Sequence, residues 1–413
     1  MFRSLRHRNA RLFFGGLLVS NVGTWMQMTA TSLVVYEITG NALDTGFTLF
    51  CQFLPMLLLG SWAGAVADRR DKRSMALLTQ SLQAGQAIVL GVLTITDVIN
   101  LPMLYGLSLA LGTINAFDNP ARRGFVIELV EPDEISNAMS LNTAVMTGSR
   151  VIGPALAAAL KGPLGAGPLF LMNGLSFLAI VWSLLAIDRT TLRPAPMAPR
   201  GGTPVRDALR FIVHDRRLAI VFVVFTLVGT FAFNYSVSLL KISDARLDST
   251  AAFGLLLAST GIGSVIGSLL TARRHYVSTR WFFGNGLLLG VSGFGLAWSP
   301  NIWVALLASI PVGMGGAAFI AAQNAILQQE SPPDMRGRLL ALSAVAFLGS
   351  TPIGAPITGY IADHVSAEWS LAYGSVMALL STTIGALLLE RTRAVDMPRA
   401  VHTVPTPAEA ADA

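Results

Sequence analysis

Gly64-Ala-Val-Ala-Asp68-Arg69-Arg70-Asp71-Lys72-Arg73 decides how this chain folds, because it places six consecutive charged residues between two apolar runs. The run before it begins near residue 45 and the run after it near residue 75. Each is long enough to cross roughly 30 Å of hydrocarbon as a helix. Charges this dense are costly inside a bilayer, so they mark the surface turn between two spans.

The rest of the chain repeats that pattern. It is 53% hydrophobic and 13% charged, whereas soluble domains carry about 25% charged residues. Twelve apolar stretches are predicted, from 12–36 to 369–389, with the fourth at 101–118, the fifth at 136–160, the seventh at 218–240 and the eleventh at 339–362. They are continuously apolar, unlike the alternating strands of a membrane barrel. The expectation is an all-α membrane protein with twelve transmembrane helices. The basic segment Met1 to Arg11 precedes a span too long for a removable signal core. A single cysteine, Cys51, excludes a disulfide framework within the chain and reads as apolar packing.

Basic residues set the orientation. With both termini cytoplasmic, all but Lys161, Lys241, Arg246 and Arg150 of the 29 Lys and Arg fall in cytoplasmic segments, as the positive-inside rule requires. The net charge of +6 is therefore a topology signal, and no nucleic-acid partner is implied.

The spans divide six and six. Residues 1–187 form an N-terminal half, 188–217 a cytoplasmic linker, 218–390 a C-terminal half and 391–413 a disordered cytoplasmic tail. Within the linker, Leu209, Ile212 and Val213 share one face, which predicts an interfacial helix. A shift of about 201 residues carries Pro132-Asp133 onto Pro333-Asp334 and Ile152-Gly153 onto Ile353-Gly354. Gly60 and Gly64 match Gly263 and Gly267 at a nearby shift. Two pseudo-symmetric six-helix halves with a substrate path between them follow from such a repeat.

Twelve spans in two halves, with Gly64-x-x-x-Asp68-Arg69-x-x-Lys72-Arg73 after the second, resemble the major facilitator superfamily along nearly the whole chain. Asp71 stands where that loop usually has a second glycine. The fifth span carries a degenerate exporter motif as Ser140, Ser149, Gly153-Pro154, Ala157 and Ala158. Gly23-Thr24-Trp25-Met26-Gln27, Arg150-Val-Ile-Gly153-Pro154 and Asp118-Asn-Pro120-Ala-Arg122-Arg123 look like the bacterial enterobactin-exporter branch. The resemblance implies the major facilitator fold in a bacterial cytoplasmic (inner) membrane. It also implies alternating-access export of a small amphipathic or hydrophobic compound, such as a drug, siderophore or lipid-like metabolite, as a monomeric proton antiporter.

Roles follow for individual residues. Gly64 permits close helix approach, and Asp68 can lie at the N-terminus of a helix from the other half. Arg69 or Arg73 can meet Asp118, giving a cytoplasmic gate. Arg150 is the one ionisable side chain placed well inside a span, so it should face a polar cavity and have a partner. Its functional reading is attraction of an anionic or acceptor-rich substrate, and its structural one a fixed bond to carbonyls. Asn142, Met146 and Arg150 share a helix face, as do Asn21 and Trp25, flanked by Gln27, and Thr230 and Asn234. These eight are the candidate substrate contacts. Gly153-Pro154 and its counterpart Gly354-Ala-Pro356 read as hinges or tight packing.

No Asp, Glu or His is placed deep in a span, which leaves Asp118, Glu37 and Asp44 as the candidates for proton coupling. The five histidines are scattered over loops and tails, and no nucleophile-base or metal-ligand spacing occurs. Neither an enzyme nor a resident cofactor or metal is expected. Two rival readings stay open, an importer of a small metabolite and a non-transporting scaffold or receptor.

Overall fold

The computed structural model describes residues 3–67, 69–193, 204–247 and 252–396; Asp68, much of the expected linker and most of the expected tail lie outside the described residues. Within the described residues the regular structure is entirely helical. The α-helices are α1 (Arg8–Thr39), α2 (Ala42–Ala67), α3 (Lys72–Ile95), α4 (Leu101–Glu128), α5 (Ile135–Leu164), α6 (Ala166–Ala186), α7 (Pro204–His214), α8 (Arg216–Ala232), α9 (Tyr235–Leu247), α10 (Ala252–Ala272), α11 (Thr279–Ala297), α12 (Ile302–Glu330), α13 (Pro333–Leu348), α14 (Thr351–His364) and α15 (Ala367–Asp396).

Among the described residues, nine helical stretches are long and apolar enough to cross a membrane. One of them runs through α8 and α9 and another through α13 and α14. Helices α1, α4 and α11 occupy the other three expected positions, but Asn21 and Gln27, Asp118 and Arg122, and Arg280 and Asn285 make them more polar. Two expected stretches are not continuous. The seventh breaks at Phe233–Asn234, where the Asn234 amide nitrogen donates to the Thr230 carbonyl at 2.9 Å. The eleventh breaks at Gly349–Ser350, where the Ser350 hydroxyl donates to the Phe347 carbonyl at 2.8 Å. Neither break falls on a proline, so the local chain announces neither.

Exposed apolar side chains follow from a lipid surround. Leu58, Leu175, Val291 and Leu307 are each more than 60% exposed, which a water-facing surface rarely tolerates in such number. Five of the seven tryptophans, Trp62, Trp182, Trp298, Trp303 and Trp369, are exposed near helix ends, where amphipathic rings anchor at the two interfaces. Of the three residues expected to share the apolar face of α7, only Ile212 is buried, together with Ala208, while Leu209 and Val213 point outward.

Packing is repeated along the chain. Helices α1 to α6 pack chiefly on one another, as do α8 to α15, and the main contacts between the two sets are α2 with α14 and α5 with α10. Asn100 and Asn301, 201 residues apart, cap α4 and α12 by accepting from Met103 N and Val304 N, both at 3.0 Å. Gly112 and Gly313, separated by the same shift, are tight crossings. A Cβ on Gly112 would lie 2.0 Å from the Gln52 carbonyl oxygen of α2, and one on Gly313 1.8 Å from that of Thr260 in α10. Gly153 likewise abuts α1 at Trp25 and Met26, and Gly354 abuts α8 at the Thr230 carbonyl. Helices α5 and α14 run unbroken through Pro154 and Pro356, so these glycines serve close packing here.

Candidate functional site

A cavity opens where the two helix sets face each other. Trp25 and Met28 of α1, Phe53 of α2 and Arg150 and Pro154 of α5 line one side. Phe233, Asn234 and Tyr235 at the α8–α9 break, Thr260 and Ser264 of α10, and Phe347 and Thr351 beside the α13–α14 break line the other. Both helix breaks thus border the cavity, and the Phe233 and Phe347 rings meet edge to face at 4.9 Å. The Arg150 guanidinium lies 5.1 Å from the Trp25 ring centroid. That is a cation–π contact, worth roughly 0.5 to 2 kcal/mol. Among the described residues no carboxylate or carbonyl pairs with it, and no Asp, Glu or His lines the cavity. The Tyr235 hydroxyl is buried without a hydrogen-bond partner.

One end of the bundle carries the charged loop. There Asp71 caps α3, accepting from Ser74 N at 3.0 Å and from the Ser74 hydroxyl. This replaces the tight turn of a glycine with an N-cap. Burial works to raise the Asp71 carboxyl, and the two Ser74 bonds, the Arg73 amide and the Arg189 charge together outweigh it, holding the group below the usual carboxylate range. A lowered folded-state pKa means that the cap stabilises above the unfolded value, about 3.9, and is lost on acidification below it. Asp71→Ala is expected to cost about 1 kcal/mol, read as a lowered melting temperature at pH 7 that converges with wild type at acid pH.

The neighbouring cations stay within the same helix set. Lys72 pairs with Glu128 at 2.9 Å, and Arg73 donates to the carbonyls of Leu184 and Leu185 at 2.7 and 3.2 Å. Arg73 therefore closes the C-terminus of α6 and does not reach Asp118. Arg69 is exposed. The partner of Asp118 is Arg122, one turn along α4 at 3.2 Å, with Thr79 and Gln80 each donating at 2.8 Å. Among the described residues no neighbouring atom lies within 4 Å of a Cβ built on Gly64, whereas Gly263 and Gly267 press on the Ile310 and Met314 carbonyls. Among the described residues the close approach expected of Gly64 is made by its second-half counterparts, Gly263 and Gly267. Arg217–Glu330 and Arg338–Asp207 likewise remain within the second helix set and α7.

The opposite end is clasped across the two sets. Asp363 of α14 accepts from the free amides of Ala42 and Leu43, the first residues of α2, at 3.0 and 2.7 Å. Lys241 of α9 holds the same carboxylate at 2.8 Å, and the Tyr36 hydroxyl of α1 donates to Asp244 of α9 at 2.6 Å. Gly46 and Gly359 let α2 and α14 touch backbone to backbone beside the clasp.

A family profile of transmembrane secretion effectors matches residues 1–411. The chain belongs to this family of major-facilitator-type transporters. It is 22% identical over 358 residues to the staphyloferrin A transporter of Staphylococcus aureus, covering 86% of this chain and 89% of that one. It is 25% identical over 408 residues to the multidrug efflux pump Tap of Mycolicibacterium fortuitum, covering 92% and 95%. Its fold is shared by a bacterial homologue of the human lysosomal transporter Spinster, with a TM-score of 0.69 at 15% identity over 93% of this chain and 98% of that one.

The transporter brings only part of the expected contact set to the cavity. Trp25, Arg150 and Asn234 line it, and Asn142 and Met146 are half-buried further along α5. Gln27 is turned away, donating to Gln86 at 3.0 Å and accepting from Asn173 at 2.7 Å, which joins α1 to α3 and α6. Asn21 accepts from Arg122 at 3.3 Å, and the Thr230 hydroxyl donates to the Thr226 carbonyl. Tyr235, Thr260, Ser264 and Thr351 were not singled out by the sequence, though Thr260 and Ser264 show the i, i+4 spacing that marks other stripes. Gln323 is fully buried with neither amide atom bonded. Such orphaned groups cost about 1–3 kcal/mol, so Gln323→Leu is expected to raise the melting temperature of the purified protein.

Proposed function

We propose that the chain is a secondary exporter of a small amphipathic compound, binding it in the cavity between residues 1–187 and 218–390 and releasing it by alternating access. Its twelve spans include α1, α4 and α11. The observation that carries this reading is the cavity itself, where a guanidinium unpaired among the described residues and aromatic walls face a second helix set. The cross-set clasp seals one end, and the charged pairs at the loop end stay within their own sets, as an inward-open state requires. The loop-by-loop charge bias supports a bacterial inner membrane with both termini and the loop end cytoplasmic, and residues 188–217 linking the halves. Asp68, Arg69 and Gly64 are proposed to close the cytoplasmic side in the opposite state, with Arg73 and the Asp118–Arg122 pair holding the first helix set rigid.

Proton antiport is the proposed driving reaction, in a monomer. Asp118 is the candidate carrier best placed between α3 and α4, while Glu37 is paired with Lys161 and Asp44 accepts from Tyr105. In everted vesicles carrying the wild-type protein, compounds from an amphiphile panel should accumulate inside when the pH gradient is imposed. Arg150→Ala and Asp68→Asn should lose at least about tenfold, a barrier change near 1.4 kcal/mol. Panel-wide indifference to the protein would refute export of these compounds, and flux indifferent to the gradient would refute proton coupling.

A further inference from the structure

We infer that the transported compound is an organic anion, an amphiphile with one acidic group and an apolar body, and that the Arg150–Trp25 corner reads its charge. This rests on the exporter reading and narrows its substrate to one charge class.

Three observations converge. The first is an uncompensated cation. Arg150 faces the cavity with the Trp25 ring beneath it and, among the described residues, has neither an ion pair nor a hydrogen bond. A guanidinium at membrane depth is normally partnered, as the buried Arg73 is by the Leu184 and Leu185 carbonyls. The Trp25 face supplies attraction without using any of the five N–H donors, which leaves the planar fork free for a carboxylate or sulfonate.

The second is the absence of the opposite charge. No Asp or Glu lines the described cavity, so a cationic ligand would be desolvated beside Arg150 with nothing to offset either cost. The third is the facing wall. Phe233 and Phe347 supply an aromatic surface, and the buried Tyr235 hydroxyl, lacking a partner, offers one directional donor to a ligand oxygen. One fixed positive point on the first helix set and one neutral donor on the second suit a ligand that bridges them. The backbone at Arg150 also sits on the α5–α10 seam, where its carbonyl lies 3.2 Å from the Cβ position of Gly261. The charge-reading residue is thus built into one of the two main contacts between the sets.

The test uses three isosteric probes on the full-length protein in nanodiscs: naphthalene-2-sulfonate, naphthalene-2-sulfonamide and 2-naphthyltrimethylammonium. The sulfonate is expected to bind at least tenfold tighter than the sulfonamide, and the ammonium weakest. Arg150→Gln should erase the preference for the sulfonate over the sulfonamide, and Arg150→Lys should retain part of it. Tyr235→Phe should weaken sulfonate and sulfonamide alike. Equal binding of the three probes, preferred binding of the ammonium, no sulfonate binding, or a preference that survives Arg150→Gln would each overturn the inference. Everted-vesicle flux of the amphiphile panel separates the two levels. Flux that persists when the sulfonate preference fails leaves the exporter standing with another substrate class, whereas sulfonate binding without flux of any compound removes the exporter reading and leaves the Arg150–Trp25 corner as an anion-binding site.

Discussion

Gly313→Val is expected to abolish recovery of folded, monodisperse protein. A Cβ at this position would lie 1.8 Å from the Thr260 carbonyl oxygen, 2.7 Å from its carbon and 3.0 Å from the Ser264 amide nitrogen. All three are backbone atoms of α10, so no side chain can rotate away. Accommodation would require α12 to move off α10 along a seam that also includes Gly263 and Gly267, where an added Cβ would lie 1.9 and 2.1 Å from the Ile310 and Met314 carbonyl oxygens of α12. Membrane helices gain little from apolar burial against one another, since lipid is equally apolar, and depend on such close approach. Gly313→Ala, one methyl group, is expected to cost at least about 1–3 kcal/mol by overpacking. Gly112→Ala, against the Gln52 carbonyl, should behave alike because the contact is the same one repeated 201 residues earlier. Gly295→Ala is the control. Nothing lies within 4 Å of its Cβ position, and the helical preference for alanine should stabilise it by up to about 1 kcal/mol. Thermal unfolding followed by size-exclusion chromatography separates these outcomes, and a Gly313→Val protein melting within a degree of wild type would refute the seam's role.

The contrast between these glycines shows what a linear sequence carries. Spacing alone matched Gly60-x-x-x-Gly64 to Gly263-x-x-x-Gly267, yet among the described residues only the second pair meets a neighbouring backbone. Hydropathy located the membrane stretches, and the charged loop located the family, because both are local properties of the chain. Facing is not local. Trp25 and Gln27 are two residues apart on α1, about 200° around the helix axis, so one enters the cavity while the other bonds Gln86 and Asn173. Both are amphipathic, and composition does not say which neighbour each will meet. The same holds for Arg73 and Asp118. Opposite charges in the loop after the second span and at the end of the fourth suggested a pair, but the free carbonyls ending α6 took the arginine, and Arg122, one helical turn away, took the aspartate. Tyr235 escaped notice because its significance arises from the break in the seventh span, which the run of apolar residues there does not mark.

Asp363→Asn is expected to shift the transporter towards the state in which the clasped end is open. In the closed arrangement this carboxylate receives two amide hydrogens from the start of α2 and the Lys241 ammonium, at 2.7 to 3.0 Å. The helix N-terminus adds its partial positive charge. Its side chain is only 10% exposed, and removing one partner of a buried pair costs about 3–5 kcal/mol. Opening this end separates α14 from α2, so the loss of the helix-terminus bonds falls on the closed state alone. Even 1.4 kcal/mol of that difference changes the open population about tenfold. A cysteine at Ser236, which lines the cavity, reports the change when Cys51 is replaced by alanine. An impermeant maleimide applied from the clasped side should label it at least about tenfold faster in Asp363→Asn. Lys241→Ala should accelerate labelling as well, and the double variant should fall short of the summed effects because both changes remove one shared interaction. Asp71→Ala, at the other end of the bundle, should leave the rate unchanged. Unaltered labelling in Asp363→Asn would mean that the glycine contacts of Gly46 and Gly359 hold this end shut without the charge, and that the clasp does not set the conformational balance.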